Sequence, residues 1–156
     1  MQQDLINQLH QATTIYFVCS GNIIRSAYAE LLARHLGLDH VASYGTTYRN
    51  RRIHRRSAAE LQKQQVNQSL IDEFSPTYIS EAQPFDPQDL HIVMTEKHRQ
   101  QLLAAGIDAS KIVKITAYID ESGDVADPYF NDNWEEAYRQ IGQAVHQITT
   151  ELSGDL

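Results

Sequence analysis

The chain has 156 residues, 42% of them apolar, and a formal net charge of −7, which suits one domain able to bury a core without metal or disulfide support. A single cysteine excludes an internal disulfide framework. With no signal-peptide start and no long apolar run, a soluble protein of a reducing compartment is expected, by default cytoplasmic and with no membrane partner. The acidic balance also argues against general nucleic-acid binding, although the charge is uneven. Arg49, Arg51, Arg52, Arg55 and Arg56 supply five of the 13 Lys and Arg residues, whereas the stretch from Thr116 onward carries nine acidic residues against Arg139 alone.

Leu5, Ile6 and Leu9 recur at helical spacing, so residues 1–12 read as an N-terminal extension, helical, ahead of a domain over 13–156. The uncharged, β-branched and aromatic run Thr14-Ile15-Tyr16-Phe17-Val18 reads as a central strand that delivers Cys19 at its carboxyl end. From Ile24 to Leu36 the apolar residues step by three and four, and Gly37 is placed to close that helix. His40 to Tyr44 predicts a second strand, followed by a turn at Gly45, the arginine-rich stretch and a helix near Ala58 and Leu61. Pro76, Pro84 and Pro87 interrupt Asn67 to Pro87, yet Ile71, Phe74, Tyr78 and Phe85 give it enough apolar mass for an ordered excursion. Leu90 to Met94 predicts a third strand, Thr95 the N-cap of a helix ending at Gly106, and Ile112 to Ile115 a fourth strand. A loop from Thr116 to Asn131 holds Asp127-Pro128-Tyr129. The last helix carries Trp134, Ala137, Tyr138, Ile141, Ala144, Val145 and Ile148 on one stripe, with Asp132 and Glu135 at capping-box separation. This alternation predicts an α/β fold, a single-domain open four-stranded parallel sheet with helices on both faces, whose ligands bind beyond the strand carboxyl ends.

Cys19 stands six residues before Arg25 in Val18-Cys19-Ser20-Gly21-Asn22-Ile23-Ile24-Arg25-Ser26. A loop of that length can wrap the N–H groups of Ser20, Gly21, Asn22, Ile23, Ile24 and Arg25 around one anion, while a helix N-terminus and the arginine favour the thiolate. Arg25 offers a planar fork for two phosphate oxygens, and Ser26 a hydroxyl for the sulfur. The chemistry that fits is thiolate attack on a phosphate monoester, with Asp127 protonating the leaving oxygen and then activating water. The spacing alone also describes an inert buried cysteine beside a helix-start arginine; the strand end, Gly21, Asn22, Ser26 and the Asp-Pro loop together favour catalysis.

These residues resemble the low-molecular-weight protein tyrosine phosphatases, whose loop reads roughly Val-Cys-x-Gly-Asn-Ile-Cys-Arg-Ser-Pro. Cys19, Gly21, Asn22, Ile23, Arg25 and Ser26 match it, Asp127-Pro128-Tyr129 is similar to the family's acid loop, and Ser43-Tyr44-Gly45-Thr46 resembles its Ser-Ala-Gly-Thr turn. The resemblance implies Cys19 as nucleophile, Arg25 as phosphate clamp, Asp127 as acid and base, and Asn22, Ser26 and Ser43 as loop-shaping residues. It implies no metal and no other cofactor, and the seven histidines show no metal-ligand pairing. Three departures stand out. Ile24 replaces the second loop cysteine, so no protective disulfide can form; Ala27 replaces the proline; and Ser75 and Met94-Thr95 replace the family's structural histidine and Met-Asp.

Tyr44, Tyr48, Arg51, Arg52 and Tyr129 are the candidate substrate-cleft residues, either recruiting an acidic phosphotyrosine peptide or forming a merely solvated basic loop with packed tyrosines. The leading function is phosphotyrosine hydrolysis. A non-catalytic phosphate-binding adaptor is the alternative, and an arsenate reductase fits less well because it would need further cysteines.

Overall fold

In the computed structural model, which describes residues 1–154, the chain opens with helix α1 (Gln3–Gln11), followed by β1 (Ile15–Cys19), α2 (Arg25–His35) and β2 (Val41–Gly45). Helices α3 (Arg55–Lys63), α4 (Gln68–Glu73) and α5 (Ile79–Ala82) then lead to β3 (Leu90–Val93), α6 (Glu96–Ala104) and β4 (Ile112–Lys114). The chain ends in the one-turn α7 (Pro128–Asn131) and the long α8 (Trp134–Ser153). The four strands are parallel in the order β2-β1-β3-β4. The chain leaves β1 toward one side for β2 and toward the other for β3, so the topological switch lies at the carboxyl ends of β1 and β3, beside Cys19.

Strand alternation divides the sheet into two faces. Ile15, Phe17 and Cys19 join the main core with Tyr28, Leu31 and Leu32 of α2 and Ile141, Val145 and Ile148 of α8. Val18, Tyr44, Val93 and Leu102 form a second cluster, against which Tyr16 and Phe85 pack. Leu9 anchors α1 in the main core, fully buried, while His10 meets Glu151 of α8 at 3.2 Å.

The period of two also corrects one expectation. Ser43 faces α2, so Tyr44 points through the opposite face. There it is fully buried against Tyr16 and Phe85, with its hydroxyl 2.8 Å from His91 Nδ1. Tyr44 is therefore a core residue and not part of a substrate cleft. Residues 67–87 form an ordered excursion, with Asn67 capping α4 and Tyr78 bridging to Gly45.

Two details of the carboxyl-terminal third differ from the sequence reading. The expected loop from Thr116 to Asn131 contains a 3-10 turn, Ile115–Ile119, and α7, because Pro128 at the first helical position is preset for a helix and Asp127 caps it. The cap of α8 is Asn133, whose side chain accepts from Glu136 N, in place of the Asp132/Glu135 pair. Asp132 is instead left-handed, φ 59°, and its carboxylate accepts the Trp134 indole N–H at 3.0 Å.

Candidate active site

The loop from Cys19 to Arg25 is held by its carbonyls. Thr46 N donates to Cys19 O, Thr47 N and Tyr48 N both donate to Ser20 O, and His54 N donates to Ile23 O, all at 2.9–3.0 Å. Asn50 Nδ2 holds Gly21 O at 3.0 Å, and Ser57 Oγ holds Ile24 O at 3.1 Å. Two glycines permit this packing. A Cβ on Gly45 would stand 2.7 Å from Ser20 O and 3.0 Å from Asn22 N, and one on Gly21 would stand 2.8 Å from Asn50 Nδ2. With its carbonyls turned outward, the loop keeps the N–H groups of Ser20 to Arg25 without an acceptor among the described residues. Helix α2 likewise starts with no side-chain cap. Orphan N–H groups at a helix start form an anion cradle.

A buried network shapes the loop from behind. Asn22, fully buried in a left-handed conformation with φ 57°, donates from Nδ2 to Ser26 Oγ and Ser43 Oγ, each at 2.8 Å. Its Oδ1 accepts the Thr77 backbone N–H at 2.8 Å, so Thr77 and not Ser75 completes it. Because the amide donates to both hydroxyls, their own protons point onward. Ser43 donates to Glu30 Oε1 at 2.6 Å, and Ser26 is left to donate to Cys19 Sγ at 2.9 Å. Arg34 Nε holds the other oxygen of Glu30 at 2.8 Å. The nucleophile candidate is thus joined through three side chains, Ser26, Asn22 and Ser43, to the Glu30 carboxylate.

Arg25 is 3% exposed, and its fork is occupied on both arms. Nη1 donates to Val125 O at 2.8 Å, and Nη2 faces Asp127 Oδ2 at 3.3 Å and Ser20 Oγ at 3.5 Å. Asp127 spends its other oxygen capping α7 through Tyr129 N at 3.0 Å. The bond from Val125 N to Met94 O ties this loop to the end of β3. Behind Ser20 lies His98 of α6, its Nε2 2.9 Å from Ser20 Oγ and its Nδ1 3.0 Å from Thr95 Oγ1. Burial, with Arg25 and Lys97 nearby, pushes the His98 imidazole down to about 3, so it is neutral at physiological pH.

Cys19, Ser20, Ile23, Arg25 and Asp127 share one cavity of about 420 Å³. Its mouth is made by Tyr48, Arg49, Asn50, Tyr129 and Phe130, with the three aromatics 56%, 65% and 75% exposed. A larger groove of about 960 Å³ runs between α3 and α8, but no cysteine lines it among the described residues, and chemistry rather than volume selects the site. Of the expected cleft residues, Tyr48 and Tyr129 line the cavity. Arg51 and Arg52 are exposed but do not line it. Arg49 instead lies 4.2 Å above the Tyr78 ring, and Arg56 lies 4.9 Å above that of Trp134. Sequence reasoning missed Glu30, Thr77, His98 and Phe130, and it held Arg49 and Asn50 only as part of the arginine-rich run. Only Glu30 carried a local signal, a carboxylate four residues before Arg34 inside the apolar run Ala27 to Ala33.

The family model for low molecular weight phosphotyrosine protein phosphatase matches residues 14–156. The low molecular weight protein-tyrosine-phosphatase PtpB of Staphylococcus haemolyticus is 26% identical over 145 residues, covering 87% of this chain and 97% of that protein. Wzb of Vibrio vulnificus, solved with benzylphosphonate, superposes with a TM-score of 0.70 at 21% identity, over 88% of this chain and 97% of its own. A YwlE arginine phosphatase mutant with a phosphorylated active-site serine gives 0.71 at 22% identity, over 91% and 97%. These two structures share the fold, and the family match spans β1, the Cys19 loop, the acid loop and α8. The chain belongs to the low-molecular-weight phosphotyrosine protein phosphatase family.

Proposed function

We propose that the chain hydrolyses phosphotyrosine in proteins, and small aryl phosphates, through a cysteinyl-phosphate intermediate. The observation that carries this reading is the meeting of a thiol, an arginine fork, a carboxylate and a loop of unpaired N–H groups at one cavity. The Cys19 thiolate, held by Ser26, attacks phosphorus in line; the S–P bond forms as the P–O bond to the phenol breaks, and Asp127 gives the phenol oxygen its proton. The N–H groups and Arg25 take the charge on the transferring oxygens. In the second half Asp127 takes a proton from water, which attacks phosphorus and returns the thiolate. Binding of the dianion draws the Arg25 fork from Asp127 Oδ2 onto phosphate, freeing the acid, while Tyr129 N keeps Oδ1 in place.

Tyr48, Tyr129 and Phe130 offer stacking walls for an aryl ring. Arg51, Arg52 and Arg55, exposed and without an ion-pair partner among the described residues, favour a peptide with acidic residues beside its phosphotyrosine. A phosphoarginine substrate would bring a cationic leaving group against Arg49, and among the described residues Asp127 is the only carboxylate lining the cavity. Residues 13–156 would carry the activity, with 1–12 as an extension docked on α8. Wild-type protein should hydrolyse p-nitrophenyl phosphate and phosphotyrosine peptides, but not phosphoarginine, and Cys19→Ser should hydrolyse none. Phosphate binding without turnover would make the chain an adaptor. Changing Arg51, Arg52 and Arg55 to alanine should raise KM for acidic phosphopeptides far more than for p-nitrophenyl phosphate, and equal effects would remove the recruitment role.

A further inference from the structure

We propose that the Ser20 side chain is an additional phosphate-binding group, its hydroxyl proton aimed into the cavity by His98 as a positioning residue. This rests on the phosphatase reading and adds to the backbone cradle a donor that belongs to this chain's own loop. His98 is 1% exposed and touches two hydroxyls, Ser20 Oγ at 2.9 Å and Thr95 Oγ1 at 3.0 Å. Thr95 Oγ1 also accepts the His98 backbone N–H at 3.2 Å as the cap of α6, leaving its own proton for Nδ1. With Nδ1 accepting, the neutral ring carries its proton on Nε2 and donates it to Ser20 Oγ.

Ser20 Oγ then accepts from His98 Nε2 and, at 3.5 Å, from Arg25 Nη2. Both lone pairs face donors, so the hydroxyl proton is free for an acceptor in the cavity that Ser20 lines. The opposite tautomer would turn the Ser20 proton back onto Nε2 and strand the proton of Thr95, which is half-buried away from the cavity. A stranded proton costs less at the open cavity, where water or a phosphate oxygen can take it. The burial and the Arg25 and Lys97 charges that keep His98 neutral preserve the ring acceptor on which this direction depends. When phosphate draws Arg25 away from Asp127, Ser20 stays beside Nη2 and the phosphoryl group meets the arginine and the hydroxyl together.

The test is calorimetric binding of inorganic phosphate and of vanadate to folded protein, with kcat/KM for p-nitrophenyl phosphate alongside. Ser20→Ala should weaken both anions about tenfold, the worth of one hydrogen bond to a charged group, and lower kcat/KM similarly, with a modest fall in thermal midpoint because the buried His98 Nε2–H loses its acceptor. His98→Leu should weaken anion binding to the same degree, and the double variant should be no worse than either single one. His98→Gln, whose amide nitrogen can stand where Nε2 stood, should restore most of the binding. Unchanged anion affinity in Ser20→Ala, or independent multiplication of the two effects, overturns the inference while leaving the phosphatase reading intact. A protein that binds phosphate but hydrolyses nothing defeats the phosphatase reading, and its affinities still decide the role of Ser20. A protein that does neither defeats both.

Discussion

Replacing Asn22 by alanine should cost about 3–5 kcal/mol of folding stability, from two separable sources. The first is the side chain. The Thr77 N–H loses its acceptor at about 1–2 kcal/mol, and Ser26 and Ser43 lose a donor at about 1 kcal/mol together, since each hydroxyl keeps another partner. The second is the backbone, because alanine at φ 57° pays about 1–2 kcal/mol that asparagine tolerates better. Asn22→Gly repairs only the backbone and should be about 1 kcal/mol more stable than Asn22→Ala in urea unfolding. Both variants should lose kcat/KM alike, because the Ser26 proton is no longer turned toward Cys19 by the amide. A loss below about 1 kcal/mol in Asn22→Ala, or equal stability of the two variants, would refute the reasoning.

Gly45→Ala should lower kcat/KM by about tenfold or more, because the new Cβ meets loop backbone at 2.7 Å and the loop must yield; an unchanged rate would mean that the contact relaxes elsewhere. His91 and His98 are pushed by burial from the ordinary 6.5 down to about 4 and about 3. The unfolded chain therefore binds protons below about pH 6.5 that the folded protein refuses, so stability rises with pH through that window and is complete above it. Between pH 7 and pH 5 each histidine should cost about 2 kcal/mol in urea titrations, and His91→Gln should remove its share of the slope. Deleting residues 2–11 removes fully buried Leu9 and the contact to Glu151, and a thermal midpoint that does not fall would show that α1 contributes no stability.

The centre of this fold was legible because its signals are local. A continuous apolar strand, a loop with glycine and asparagine, and a helix stripe stand next to one another from Thr14 to Leu36, and the order of elements then constrains the sheet. Tyr44 was misplaced because a motif places a residue in a turn, while the pleat decides which face it points to, and Ser43 had already claimed the face toward Glu30. The cap of α8 moved by one residue because Asp132 was needed to end α7. His98 was invisible for a different reason. It meets Ser20 across 78 residues, and no spacing within α6 hints at that pairing. Arg51 and Arg52 share a charge run with Arg49, but composition does not say which arginine faces the cavity and which faces solvent.

The central claim is that Cys19 carries the phosphoryl group. A denaturing quench of Asp127→Ala during turnover of radiolabelled p-nitrophenyl phosphate, whose leaving group departs without a proton from the protein, followed by peptide mapping, tests it most directly. Removing the carboxylate removes the base for the second step, so label should accumulate on the peptide containing Cys19 and be absent from Cys19→Ala. Hydrolysis by Cys19→Ser at the wild-type rate, or label on any other residue, would contradict it.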